Sequence, residues 1–218
     1  MLFRSRLPDP DHYEHAHAFC DVLVVGAGPA GIAAAWAAAE SGLDVVLVEQ
    51  DNLLGGAQLS TPCGGSESIP SVQELESSGV RVMTRTTAFG LYDYNVAGLV
   101  ERVTDHLPDP PGYLPRQRFW TLRTKYTIVA AGAIERHIAF GNNDRPGVMT
   151  AAAARTYLNR FAVLPGENII IATNNDSAYE GAVELSSAGA KVTLLDARSA
   201  ISDEHMQQLT ERNIEVRC

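Results

Sequence analysis

The chain has 218 residues, of which 45% are hydrophobic and 20% are charged. This composition is typical of a soluble globular protein of one or two domains, and it excludes a disordered chain, a collagen and a coiled coil. The 17 Lys and Arg residues against 26 Asp and Glu residues give a net charge of −9. Such an acidic balance argues against a nucleic-acid partner or an anionic membrane surface, because phosphate groups need basic side chains.

The three cysteines, Cys20, Cys63 and Cys218, are far apart and form no CxxC motif. We therefore predict reduced thiols, with no metal site and no disulfide framework. The N-terminus lacks the apolar core of a secretory signal. The uncharged run over residues 22–39 is interrupted by glycines and a proline, so we predict two short elements rather than a membrane span. Together these features favour a cytoplasmic protein.

The first half of the chain has the pattern of an α/β unit. We predict a buried strand at 21–25, a helix at 30–41 that ends at Gly42, and a second strand at 45–48 followed by Glu49. Strand, helix and strand in about thirty residues form a βαβ unit. Further elements are a short helix at 72–78, a strand at 80–84 that continues to 87, and two strands at 118–123 and 126–131 with a turn between them.

A second α/β pattern follows. Thr150 is predicted to cap a helix over 151–161, and strands at 168–172 and 191–195 flank a helix at 177–188. Ser177 and Glu180 have the spacing of a capping box. Since a further strand has barely begun at 213–216, we expect a fragment of a longer protein. The predicted organisation is a lead-in at 1–20, a first dinucleotide-binding domain at 21–140, a connecting helix region at 141–165 and a partial second Rossmann-like βαβ unit at 166–218.

The sequence GAGPAG from Gly26 to Gly31 matches the G-x-G-x-x-G pattern between a predicted strand and helix. In this motif Gly26 permits a tight turn, Gly28 lets the backbone approach a pyrophosphate, and Gly31 allows close packing of helix and strand. Glu49 lies at the end of the next strand, where an acid accepts hydrogen bonds from the adenosine ribose and repels a 2′-phosphate. The combination predicts an adenine dinucleotide and disfavours NADP.

The motif alone does not separate FAD from NAD. Gly55-Gly56 and the strand end at 128–133 recur in flavoproteins with two dinucleotide domains. We therefore predict a Rossmann-like FAD/NAD(P)-binding α/β fold of this type, with the second domain incomplete. In the second unit, residues 173–176 (TNND) replace the glycine loop, so only the first unit is expected to bind a dinucleotide. Cys63 stands alone near Gly56, which excludes disulfide-reductase chemistry, and we assign no catalytic residue.

Three further segments are distinctive: NDRPGVM at 143–149, RTYLNR at 155–160 and TNNDSAY at 173–179. On these segments, and over nearly all its length, the chain resembles the alpha subunit of heterotetrameric sarcosine oxidase. The resemblance implies a complex with beta, gamma and delta subunits that oxidises the N-methyl group of sarcosine, giving glycine and H2O2 from O2. The methyl carbon leaves as formaldehyde or, with tetrahydrofolate, as 5,10-methylene-tetrahydrofolate. The folate would bind to a C-terminal region that is absent from this chain.

The resemblance also implies that FAD and FMN of the complex are held mainly through the beta subunit, where the amine is oxidised, and that this chain holds NAD, with FAD as the alternative. Together with Gly56, the cofactor positions would be Gly26, Gly28, Ala30, Gly31, Glu49, Gln50, Thr86, Gly132 and Ala133. The family usually has Asp-Glu where this chain has Glu49-Gln50. Two alternatives are the alpha chain of a related flavin-dependent amine or opine dehydrogenase, and a structural domain with a vestigial nucleotide site.

Overall fold

The structure is a computed structural model that describes residues 11–62, 69–198 and 201–217. The chain divides into two compact units. The first comprises residues 1–56 and 69–132, and the second comprises residues 57–68 and 133–218. Each unit has its own sheet, and the parallel strands with intervening helices confirm the predicted α/β class.

The first unit contains a six-stranded sheet in the order β3-β2-β1-β6-β5-β4. Its strands are β1 (Tyr13–Val25), β2 (Val45–Val48), β3 (Val80–Met83), β4 (Thr86–Tyr92), β5 (Val96–Arg102) and β6 (Gln117–Val129). Its helices are α1 (Pro29–Glu40) and α2 (Val72–Ser77). Strands β3, β2, β1 and β6 are parallel, whereas β4 and β5 form an antiparallel meander with the first half of β6.

Strand β2 and the carboxyl-terminal end of β1 are buried on both faces, which explains their nearly continuous Val and Leu sequences. One face packs against α1 and α2, in a core that contains Val22, Val24, Ile32, Ala35, Val45, Leu47 and Leu75. The other face packs against residues of the meander, in a core that contains Leu23, Val46, Val48, Ala97, Leu99 and Leu122. The carboxyl ends of β1, β2 and β6 are thereby held in fixed positions for the loops that follow them.

The predicted lead-in over residues 1–20 is wrong for residues 13–20, which belong to strand β1. Their side chains alternate between exposed and covered, and Tyr13 is opposite Gln117 of β6. The predicted turn between two strands at 118–123 and 126–131 is also wrong, because β6 pairs with β1 as one strand of 13 residues. Lys125, in the predicted turn, forms an ion pair with Asp21 at 2.7 Å.

The predicted continuation of the third strand to residue 87 is wrong as well. The chain turns at Arg85, whose φ of +52° is left-handed, and β4 begins at Thr86 on the opposite edge of the sheet from β3. The backbone N–H of Arg85 donates to the carbonyl of Asp51 at 2.8 Å, so this turn is joined to the loop after β2.

The second unit has a parallel sheet in the order β7-β8-β9, with β7 at Asn168–Thr173, β8 at Lys191–Asp196 and β9 at Glu215–Arg217. Its helices are α3 (Ala151–Phe161), α4 (Tyr179–Ser187) and α5 (Asp203–Glu211). Helix α5 was not predicted, because its sequence is polar and Leu209 is its buried residue. Tyr179, Ala182, Leu185, Leu194 and Leu209 are among the core residues of this unit.

Helix caps were predicted with mixed success. The hydroxyl of Thr150 accepts from the N–H of Ala153 at 3.2 Å, which confirms the cap of α3. The predicted capping box of Ser177 and Glu180 is wrong. A 3₁₀ turn precedes α4, the side chain of Asn175 accepts from the N–H of Ser177 at 3.0 Å, and Glu180 lies 3.3 Å from Arg155 in an ion pair.

Within residues 11–62, 69–198 and 201–217, every helix is too short or too polar to cross a membrane. In the same ranges, Cys20 is a buried free thiol and no group of three His, Cys, Asp or Glu side chains is arranged to hold a metal ion. Cys63 and Cys218 lie outside the described residues.

Candidate dinucleotide-binding site

The glycine loop connects β1 to α1 at the carboxyl edge of the first sheet. Gly26 has a φ of +99°, and its N–H donates to the carbonyl of Val48 at the end of β2 at 2.8 Å. A Cβ at Gly26 would lie 2.5 Å from the carbonyl oxygen of Ala130, at the end of β6. A side chain is therefore excluded at Gly26 by both backbone conformation and packing.

Gly31 lies in the first turn of α1, where the helix crosses closest to the loop. A Cβ there would lie 1.8 Å from the carbonyl oxygen of Gly26. The third glycine of the motif is thus required by helix–strand packing, as the motif predicts.

Gly28 differs from both, because it has an ordinary φ of −73° and a Cβ built there has no neighbour within 4 Å. It is the N-cap residue of α1 and provides no side-chain cap, and Pro29 follows it with no N–H to satisfy. The positive end of the helix, including the N–H groups of the exposed Ala30 and of Gly31, is thus available to an anion. This open cradle fits the pyrophosphate of a dinucleotide.

The predicted Gly55-Gly56 pair lies directly against this cradle. The N–H of Gly55 donates to the carbonyl of Ala27 at 2.8 Å, and a Cβ at Gly56 would lie 3.0 Å from the Cα of Gly28. Both glycines have positive φ, at +117° and +53°. The structure therefore brings Gly26, Gly28, Gly31 and Gly56 together, although Gly56 comes from a separate segment of the chain.

Glu49 is 8% exposed and its carboxylate points to the glycine loop. One carboxylate oxygen accepts from the N–H of Ala27 at 2.7 Å, and the other accepts from the N–H of Asp51 at 2.9 Å. A carboxylate has about four lone-pair sites, so each oxygen retains one for a ribose hydroxyl. Glu49 thus joins the second strand to the loop, in addition to its predicted role as ribose acceptor; the hydrogen bond to Ala27 has no signal in the sequence.

The other four predicted cofactor positions have different surroundings in the structure. Thr86 is 1% exposed, its N–H donates to the carbonyl of Glu49, and its hydroxyl donates to the carbonyl of Thr84 at 3.0 Å. It supports Glu49 through the backbone. Gln50 is exposed, and its carbonyl accepts from the guanidinium of Arg102. Gly132 ends the first unit with a φ of +70°, and Ala133 belongs to the second unit.

Glu49→Ala is expected to weaken binding of an adenine dinucleotide about tenfold or more. A hydrogen bond to a charged acceptor contributes roughly 1.5–3 kcal/mol, and 1.4 kcal/mol is a factor of ten. Titration calorimetry with NAD measures the change. Glu76→Ala, which removes an exposed carboxylate from α2, is the matched control and should bind NAD as the parent chain does. Equal affinity of Glu49→Ala and Glu76→Ala would show that Glu49 is not a ligand of the ribose.

The corresponding edge of the second unit has a different character. Its loop is closed by its own polar groups, since the hydroxyl of Thr173 donates to the carbonyl of Asn175 at 2.8 Å and accepts from the N–H of the same residue at 3.2 Å. Asp176 forms an ion pair with Arg198 at 2.7 Å. These side chains stand where a dinucleotide loop has bare backbone, which favours the predicted structural role.

Asp196 has the place of a ribose acceptor in this unit, but its carboxylate is fully buried and already bonded. It accepts from the N–H, Nε and Nη2 of Arg198 at 2.9, 3.0 and 2.9 Å, and from the hydroxyl of Tyr179. The hydrogen bonds from Arg198, and then that from Tyr179, hold the pKa of Asp196 well below its usual range. Burial, followed by the bond to Asp196, raises the pKa of Tyr179 to about 12. Arg198, two residues after Asp196, was not predicted as the partner of this carboxylate.

Tyr179→Phe is expected to destabilise the second unit by roughly 1.5–3 kcal/mol at neutral pH, because a buried hydrogen bond to a carboxylate is lost. Because the pKa of Asp196 is lower in the folded chain than its unfolded value of about 3.9, its ionised carboxylate stabilises the fold above that pH. This stabilisation is lost as the pH falls towards the folded pKa. The loss of unfolding free energy caused by Tyr179→Phe should therefore be complete at pH 7 and smaller at pH 3. Urea denaturation at both pH values measures it. Tyr157→Phe, at an exposed tyrosine of α3, is the control, and an equal effect of both variants would contradict the role of the hydroxyl.

Comparison with known proteins agrees with this geometry. Residues 20–218 match the family described as pyridine nucleotide-disulphide oxidoreductase. The chain belongs to this family. Among solved structures, the chain is similar to L-proline dehydrogenase from P. horikoshii, with a TM-score of 0.66 and 25% identity over 87% of the chain and 38% of that protein. The predicted Rossmann-like dinucleotide-binding fold is confirmed.

Sequence relatives confirm the predicted resemblance. The chain is 46% identical over 200 residues to the alpha subunit of sarcosine oxidase from Rhizobium meliloti (strain 1021), a match that covers 88% of the chain. It covers 20% of the relative, so the chain spans about a fifth of that protein's length. An opine oxidase subunit from Agrobacterium tumefaciens (strain Ach5) is 28% identical over 192 residues, which is 82% of the chain and 37% of the relative.

Proposed function

We propose that the chain is the dinucleotide-binding part of a sarcosine oxidase alpha subunit. In this proposal the first unit holds one NAD, with FAD as the alternative, and the second unit is structural. The complete enzyme, with its beta, gamma and delta subunits, demethylates sarcosine oxidatively to glycine, giving H2O2 and either formaldehyde or 5,10-methylene-tetrahydrofolate. The chain would act in the cytoplasm.

The observation that carries the proposal is the glycine cradle beside Glu49. Gly26 and Gly31 are fixed by packing, while Gly28 is bare although its surroundings have room for a side chain. A bare backbone at a helix N-terminus is explained by a ligand that approaches it, and a pyrophosphate is the anion that this arrangement accepts in Rossmann-like folds. The carboxylate of Glu49 supports the adenosine end of the same ligand.

Sequence identity supports a sarcosine oxidase subunit over an opine oxidase subunit, since it is 46% to the former relative and 28% to the latter. Sarcosine and proline, after which the relatives are named, are both secondary amines, and this supports amine oxidation as the chemistry of the complete enzyme. The residues of this chain would bind and orient a dinucleotide. When bound, NAD or FAD supplies redox capacity, and we assign the oxidation of the amine to a flavin held mainly through the beta subunit.

The proposal is tested by titrating the purified chain with NAD and FAD and by assaying it with sarcosine. We expect one equivalent of NAD to bind, and no peroxide to form, because the candidate site is built for binding and orientation. Peroxide production by the chain alone would contradict the assignment of amine oxidation to another subunit. Failure of both dinucleotides to bind would instead favour the vestigial site.

A further inference from the structure

A polar cleft of about 380 Å³ begins at the residue after Glu49. It is lined by Gln50, Asp51, Asn52, Arg85, Arg102, Asp105 and His106. These residues come from the loop after β2, the turn before β4, and the end of β5 with its following loop. All are polar or charged, and the volume is roughly ten times the ~30 Å³ that one water molecule occupies in the liquid, so a phosphate group fits with its hydration.

The backbone holds the two arginines of the cleft in place. Arg85 is in the left-handed region, its N–H donates to the carbonyl of Asp51, and its own carbonyl accepts from the N–H of Arg102 at 3.0 Å. The guanidinium of Arg102 donates through Nη2 to the carbonyl of Gln50. Since a guanidinium has five N–H donors, this bond orients Arg102 and still leaves donors for a ligand.

The carboxylates that line the cleft already have partners. Asp105 forms an ion pair with Arg116 and accepts from the side chain of Gln117 at 2.8 Å. Gln50 is uncharged. Asp51 uses a carboxylate oxygen within its own loop, accepting from the N–H of Asn52 at 2.6 Å. Arg85 and Arg102 are therefore the two arginines that offer N–H donors to the cleft, while Asp51 and Asp105 already accept hydrogen bonds from the chain itself.

From the position of this cleft we propose that it accepts a phosphate on the 2′-oxygen of the ribose held by Glu49, so that the site binds 2′-phosphorylated adenine dinucleotides as well as NAD. This inference rests on the proposed dinucleotide site. It changes the expectation, drawn from Glu49 alone, that the site disfavours NADP. Two backbone N–H groups already donate hydrogen bonds to the carboxylate of Glu49. An arginine near the ribose is the means by which Rossmann-like sites accommodate a 2′-phosphate, and here two arginines line the cleft.

The test compares adenosine 2′,5′-bisphosphate with 5′-AMP by calorimetry, since the two probes differ only in the 2′-phosphate. The parent chain is expected to bind the bisphosphate at least as tightly as AMP, with a preference that falls as salt is raised. Arg102→Gln and Arg85→Asn should each lower the ratio of the two affinities about tenfold, as for loss of a charge-assisted hydrogen bond. Asn tolerates the left-handed backbone at residue 85, so that variant should fold even if Arg102→Gln does not.

Gln50→Glu, which adds a carboxylate to the cleft, should also lower the ratio. The matched control is Arg123→Gln, which removes an exposed arginine at the opposite end of the β5–β6 pairing and should leave the ratio unchanged. Binding of AMP and NAD with the bisphosphate more than tenfold weaker would overturn this inference and leave the proposed function standing. Equal ratios in the parent chain and both arginine variants would overturn it too. Absence of binding by NAD, AMP and the bisphosphate alike would overturn the proposed function itself.

Discussion

Gly31→Ala should prevent the first unit from folding stably. The new Cβ would lie 1.8 Å from the carbonyl oxygen of Gly26, and neither atom is the end of a flexible side chain. Relief requires moving α1 away from β1, at a cost of at least about 3 kcal/mol, the upper end of the usual range for overpacked sites. That is a large fraction of the 5–15 kcal/mol by which most domains are stable. Urea denaturation followed by circular dichroism measures the loss.

The matched control for this prediction is Gly28→Ala, only three residues away in the same motif. Its Cβ would have no neighbour within 4 Å and its φ of −73° suits any residue, so the unfolding midpoint should be unchanged. If Gly31→Ala unfolded at the same urea concentration as Gly28→Ala, the close packing of α1 on the glycine loop would be refuted.

Gly28→Val should have the opposite pattern, with a folded chain that no longer binds a dinucleotide. The side chain would fill the open cradle and keep the pyrophosphate from the N-terminus of α1. Loss of two charge-assisted hydrogen bonds, at roughly 1.5–3 kcal/mol each, weakens binding at least about a hundredfold. Equilibrium titration with NAD measures the affinity, and the unfolding midpoint verifies the fold.

The same titration tests whether the first unit alone binds. The parent chain should bind one equivalent of dinucleotide and Gly28→Val none. A second equivalent that survives Gly28→Val and disappears in Asp196→Ala would assign a site to the second unit. That outcome is not expected, because Arg198 and Tyr179 already occupy the hydrogen-bonding positions of Asp196.

The sequence predicted those parts of the site that depend on local patterns. The glycine spacing, the short apolar runs and the acid 18 residues after Gly31 are read along one stretch of chain, and the structure places them together at the carboxyl edge of the first sheet. Gly55-Gly56 was predicted from the resemblance to flavoproteins, and the positive φ of both glycines, with the contact of Gly56 on Gly28, gives the physical reason.

The parts that could not be predicted depend on pairing between distant segments. Tyr13 to Phe19 read as a polar lead-in because alternate residues are polar, yet pairing with β6 makes them a strand. The cleft after Glu49 joins segments more than fifty residues apart, and Arg102 carries no signal of its proximity to Gln50. The ion pair of Asp176 with Arg198 likewise depends on a distant segment, the loop after β8.

The thirteen-residue pairing of β1 with β6 has a consequence for local opening. The amino-terminal half of this ladder belongs to the meander, whereas its carboxyl-terminal half ends at Val25 and Val129, where the glycine loop begins. Because the same two strands carry both regions, opening of one region is expected to weaken the pairing that holds the other. We therefore expect the nucleotide end and the meander to open as one cooperative unit in hydrogen exchange, with the slowest exchange at the amides of Leu23 and Val24, whose side chains are fully buried.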